Sequence, residues 1–179
     1  LRMNFDLSPD HETFRKVVRE FAEAEITPHA ARWDQEHHFP IEIMPALGEL
    51  GIFGLTASEE YGGAGGDFTS LCVAVGLGIN PILIYGTEEQ KQRWLPDLVT
   101  GRALSAFGLT EPGAGSDAGA TATRAVLDDG EWVIDGAKQF ITNSGTPITS
   151  CVTVTARTGT LPDGRAEVST IIVPAGTPG

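Results

Sequence analysis

Apolar residues recur at helical spacing through roughly the first hundred positions and in short β-branched runs after them. Ser8-Pro9 is a helix start, with a side-chain acceptor at the cap and a proline in the first turn, where its missing N–H costs nothing. Phe14, Val17, Val18 and Phe21 continue one face with charges between them, which predicts an amphipathic helix ending near Pro28. Pro40 opens a second segment over 41–50, in which Ile43, Leu47 and Leu50 share a face and Gly51 supplies the stop. The run GGAGG at 62–66 reads as a flexible loop, and Asp67 as the start of a helix through Leu71, Val73 and Val75. Thr87-Glu88-Glu89-Gln90 has capping-box spacing for one more helix, through Trp94 and Leu98 to Gly101.

After Gly101 the period changes. TRAVL, EWVI, ITSCVTVTA and VSTIIV are strand-like, and Asp128-Asp129-Gly130 is a hairpin turn in which glycine supplies a positive φ. Asp135-Gly136 offers a second turn, and Asp163-Gly164 a surface turn between strands. The expected class is α+β, with a helical bundle over 1–102 followed by an antiparallel β domain over 103–179.

The 179 residues suffice for a real core, and 41% hydrophobic with 20% charged residues is the range of a globular protein. A net charge of -12, from 24 acidic and 12 basic residues, repels phosphate backbones and anionic membrane surfaces, so neither nucleic acid nor a membrane is an expected partner. Cys72 and Cys151 sit in apolar runs without CxxC spacing and read as small buried hydrophobes. His11, His29, His37 and His38 form no ligand-spaced set, so no metal site is expected, and Trp33, Trp94 and Trp132 read as core aromatics. With no basic-then-apolar leader and no long apolar stretch, the default compartment is the cytoplasm or an organelle matrix.

The stretch TEPGAGSD at 110–117 is the most unusual. Gly113 and Gly115 among hydroxyls let backbone N–H groups approach an anion or a planar ring with no Cβ in the way. It is not a P-loop, lacking the Lys-Ser/Thr ending, nor a Rossmann fingerprint, since no helix pattern follows. On residues alone the two glycines also fit a plain turn.

LTEPGAGSDAGATATRA at 109–125, followed by GEWVIDGAKQFITNSG at 130–145, resembles the central signature of acyl-CoA dehydrogenases. YGTEEQKQRWLPDLVTG at 85–101 resembles the helix leading into it, and the likeness extends from EEYGG at 59–63 to TIIVPAGTPG at 170–179. The resemblance implies an N-terminal helical domain, a middle β domain and a C-terminal helical bundle absent from this chain, together enclosing FAD. It implies that Phe107, Leu109, Thr110, Gly115 and Ser116 wrap the flavin and its phosphates, and that Phe140, Ile141 and Thr142 pack and bond on its other side. Thr110 would bond the ring, Ser116 would also contact the CoA arm of the substrate, and Thr142 would face flavin N5. The family often has tryptophan where this chain has Phe140, which keeps ring packing but removes a donor.

The implied reaction removes the α-proton of an acyl-CoA and transfers the β-hydride to the flavin, giving the 2-enoyl-CoA. An electron-transferring flavoprotein would be the acceptor, the assembly a homotetramer or homodimer, and the compartment bacterial cytoplasm or mitochondrial matrix. The family's base is a glutamate of the C-terminal bundle, so no catalytic residue is assigned among Glu59, Glu60, Glu88, Glu89 and Glu111; Glu111 reads as a residue that holds the loop. Competing readings are a non-catalytic flavin-binding or assembly module and an oxygen-reactive acyl-CoA oxidase. The chain departs from the family pattern at SLCVAVGLGINPI, where Val75 runs directly into Gly76, and a missing segment with a break in the backbone is expected there. An apolar face is expected where the third domain would pack.

Overall fold

The computed structural model describes residues 7–63 and 73–179, in two compact units, Leu1–Ala46 and Leu47–Gly179. In the first, α1 (Pro9–Phe21) begins as expected: the Ser8 hydroxyl accepts from the His11 N–H at 3.3 Å, and Asp10 and Glu12 complement the positive end of the helix. The helix does not end at Pro28. A π turn, Ala22–Ile26, intervenes, and α2 (Thr27–Gln35) follows with Pro28 in its first turn. The wider turn accommodates a residue that cannot donate to the preceding turn of an α-helix. Trp33 is buried, with the rings of His29 and His38 at centroid distances of 5.3 and 6.2 Å. The segment after Pro40 is a short 3₁₀ turn, Ile41–Ile43, then α3 (Met44–Glu49), stopped by Gly51 at φ 74°.

In the second unit α4 (Val73–Tyr85) passes through the Val75–Gly76 junction as continuous helix, where a break was expected. The expected helix start at Asp67 and Leu71, most of the glycine-rich loop, and Cys72 lie outside the described residues. Helix α5 (Glu88–Val99) has the full capping box: Gln90 N–H donates to the Thr87 hydroxyl and Thr87 N–H to the Gln90 side chain. Ile79 and Ile82 of α4, Leu95, Leu98 and Val99 of α5, and Cys151 form one core with Ala57 and Tyr61. The Cys151 thiol is free, and burial pushes its pKa up. The helices α4 and α5 share a compact unit with the sheet, so the division by packing falls earlier in the chain than the change of pattern at 102.

The sheet comprises β1 (Leu104–Gly108), β2 (Arg124–Asp128), β3 (Glu131–Asp135), β4 (Thr149–Thr160) and β5 (Ala166–Pro174). It is mixed rather than wholly antiparallel: β1 and β2 run parallel to β4, whereas β2–β3 and β4–β5 are antiparallel. The β2–β3 hairpin turns on Asp129 and Gly130, both at positive φ, as a two-residue turn of this hand requires. Trp132, on β3, is 44% exposed rather than a core residue, because its hairpin has little covering it.

One edge of β4 carries β5. The other carries β1, paired as far as Val154, and then β2, which joins at Arg157. The chain therefore leaves the sheet after Gly108, makes an excursion over 109–123, and returns to the same edge in the same direction. The parallel pairs on this edge make the sheet mixed, and the return sets the excursion beside Thr155. Among the described residues no helix is long and apolar enough to cross a membrane, and no cluster of His, Cys, Asp and Glu could hold a metal ion.

Candidate functional site

The excursion is closed on itself at its start. Glu111 N–H donates to Ala114 O at 2.9 Å and Ala114 N–H to Glu111 O at 3.1 Å, a tight turn through Pro112 and Gly113. The Glu111 side chain points inward, only 4% of the residue being exposed, and accepts from the Thr121 hydroxyl, from Ala122 N–H at 2.6 Å, from Thr123 N–H at 3.0 Å and from the Lys138 ammonium at 2.7 Å. Burial alone would raise its pKa. The bonds from Lys138, Thr121, Thr123 and the Ala122 amide outweigh that and hold the carboxyl far below the usual carboxylate range. Glu111 thus has the loop-holding role expected of it.

The second candidate segment follows β3. Gln139 N–H donates to Thr110 O at 2.9 Å, and its side-chain amide to Glu111 O at 3.3 Å. Residues 140–142 are not a strand: Phe140 and Asn143 have φ of 57° and 65°, and the segment turns through Ser144, whose N–H and hydroxyl both donate to Ile141 O. Left-handed backbone at Phe140 and Asn143 breaks the extended run that strand pairing would need.

Direct bonds therefore join 109–111 to 138–139. Thr110, Leu109 and Ile141 are half-buried, and Gly115, Ser116 and Thr142 are exposed farther along the two segments. Phe140 is 86% exposed, an aromatic side chain in left-handed backbone with no burial to compensate. Among the described residues a Cβ at Gly113 or Gly115 would meet nothing within 4 Å, and neither glycine has a positive φ, so none of those residues requires glycine at either position. Phe107 stands apart. It lines a cleft of about 740 Å³ between α4 and the sheet, together with Leu77, Pro81, Ile84, Tyr85 and Trp132, and none of the other seven candidate residues reaches that cleft. Leu77, Ile84 and Tyr85 are exposed there.

Lys138 was not legible as a site residue. It sits between Ala137 and Gln139 with no period to mark it, and its partner Glu111 is 27 positions away; an acid in the signature and a lysine past the hairpin were the only signals.

The profile of the acyl-CoA dehydrogenase N-terminal domain matches residues 8–76 and 70–102, and that of the middle domain matches 106–179. The chain belongs to the acyl-CoA dehydrogenase family. The two N-terminal pieces meet at 70–76, where the sequence departs from the family pattern. A probable acyl-CoA dehydrogenase of Bacillus subtilis is 45% identical over 195 aligned residues, covering 99% of this chain and 51% of the relative. Among solved structures, one described as an electron transferring flavoprotein of Acidaminococcus fermentans superposes with a TM-score of 0.87 at 34% identity, over 99% of this chain and 50% of the other. An acyl-CoA dehydrogenase of Bacillus anthracis complexed with FAD gives 0.83 at 34% identity, over 98% and 32%. The chain spans about half the length of the curated relatives it matches.

Proposed function

We propose that the full-length protein is an FAD-dependent dehydrogenase that converts an acyl-CoA to its 2-enoyl-CoA, and that residues 109–116 and 139–142 form two walls of its flavin site. The observation that carries this reading is the pairing of open glycines with an exposed, left-handed Phe140 on two segments bonded to each other. Gly113 and Gly115 leave backbone free to approach a ring or a phosphate, and Phe140 offers a face for stacking. Thr110 and Thr142 supply hydroxyls, and Ser116 a further hydroxyl toward flavin and CoA. Phe107, Leu109 and Ile141 belong to the reading as apolar packing, with Phe107 entering from the cleft side. When bound, FAD supplies the acceptor for a hydride from the acyl β-carbon.

Glu111 is not the base. Its oxygens are occupied by four donors in a buried site, and a carboxyl so far below the usual range is a poor proton acceptor at neutral pH. The base belongs to the remaining half of the protein in this reading, as do the homotetramer or homodimer contacts. An electron-transferring flavoprotein is the proposed acceptor, and the bacterial cytoplasm or mitochondrial matrix the compartment. The division into a helical domain over 1–102 and a β domain over 103–179 follows the same reading.

The test is anaerobic addition of butyryl-CoA and, separately, palmitoyl-CoA to the purified full-length protein. Bleaching of the flavin's visible band with formation of the 2-enoyl thioester is expected with at least one. A protein that carries no flavin, or a flavin that neither thioester bleaches, contradicts the reading.

A further inference from the structure

Between the last β1 pair at Val154 and the β2 pair at Arg157, Thr155 of β4 has no strand partner on that edge. The Lys138 ammonium occupies this interval. It donates to the Thr155 hydroxyl at 3.1 Å, to Leu109 O at 3.1 Å, to the Thr121 hydroxyl at 3.0 Å and to Glu111 at 2.7 Å, with 11% of its side chain exposed. An ammonium has three protons, so four acceptors share them and each limits where the nitrogen can sit. Thr155 in turn donates to Gly108 O at 3.3 Å, which ties the same point to the end of β1. Leu109 O precedes Thr110 directly, and the neighbour Gln139 bonds Thr110 O from the other side. One side chain thus sets where both proposed flavin walls begin.

We infer that Lys138 is a positioning residue for the flavin: without touching the cofactor, it fixes the separation of the wall at 109–116 from the wall at 139–142. The inference rests on the flavin reading above. Stability alone is a weak reason for a buried ion pair, because apolar replacements of both partners are often neutral or better. What an apolar pair does not reproduce is a point that bonds Leu109 O, the 121 hydroxyl and the 155 hydroxyl at once.

The experiment compares full-length parent, Glu111→Gln/Lys138→Met and Thr155→Val by thermal midpoint, FAD dissociation constant of the apoprotein and flavin reduction potential. The double variant leaves no unpaired charge, and Thr155→Val keeps the ion pair and nearly the shape while removing one anchor. Both are expected to fold and to bind FAD about tenfold or more weakly, the scale of one lost hydrogen-bond constraint, with a shifted potential. Parent-like affinity and potential in Thr155→Val, or in a double variant that folds, overturns the inference while leaving the flavin reading intact. A parent that takes up no FAD overturns both.

Discussion

The Lys138 ammonium lies 2.7 Å from the Glu111 carboxylate across 27 positions of sequence, and both side chains are almost wholly withdrawn from solvent. Removing one partner of such a pair leaves the other buried and uncompensated, which typically costs about 3 to 5 kcal/mol. Glu111→Gln should therefore unfold well below the parent at neutral pH.

The same pair predicts the response to acid. The folded-state pKa of Glu111 is depressed, so its contribution is complete above the unfolded value of about 4.3 and is lost as the pH falls below that toward the folded value. The parent's thermal midpoint should drop steeply from about pH 5 downward, and that of Glu111→Gln more gently. Parallel curves for the two proteins would show that Glu111 is not the group responsible.

Tyr61 and Glu88 give a second, alkaline prediction. The Tyr61 hydroxyl donates to both Glu88 oxygens, at 2.9 and 2.8 Å, and this bond, with burial, pushes its pKa up to about 12 and holds Glu88 below its ordinary value. A raised folded pKa means the contribution is intact below the unfolded value of about 10 and is lost as the pH rises through about 12. In a spectrophotometric titration of the folded protein, the phenolate signal that disappears in Tyr61→Phe should be the one forming near pH 12. A Tyr61 signal complete by pH 10.5 or so contradicts the bond.

Gly78 marks where α4 meets the sheet. A Cβ there would press on the Ser105 side chain and stand 2.6 Å from the Ser105 carbonyl oxygen, so the helix can lie this close to β1 only without one. Gly78→Ala should destabilise by about 1 to 3 kcal/mol through overpacking, despite the better helix propensity of alanine. A thermal midpoint equal to or above the parent's would mean the helix does not approach the strand so closely.

The parts of this fold that could be read from sequence are those whose causes are local. Ser8 and Thr87 cap their helices because acceptor and donor lie within three residues, and Asp129-Gly130 turns because its own backbone allows it. The π turn at Ala22–Ile26 was hidden because Pro28 reads equally as a helix end and as a first-turn residue. The parallel pairing of β1 and β2 with β4 was hidden because it joins segments far apart in the chain, through the path of 109–148, and not through a local turn. Residues 140–142 look strand-like in composition, yet the left-handed backbone at Phe140 and Asn143 interrupts any extended run there. The two segments proposed as flavin walls stood out in the sequence as candidates, and the lysine that bonds across them did not.

Titration of FAD into the full-length apoprotein carrying Gly115→Val, with the exposed-turn variant Asp163→Asn as control, tests whether the loop at 109–116 lies against the flavin. Because a Cβ at Gly115 meets nothing within 4 Å among the described residues and φ is not positive, this substitution should leave the thermal midpoint of the apoprotein near the parent's. Only a ligand that lies against the loop would feel the branched side chain. The FAD dissociation constant should rise about tenfold or more in Gly115→Val and stay unchanged in Asp163→Asn; equal affinity in all three proteins would contradict the assignment of this loop to the flavin.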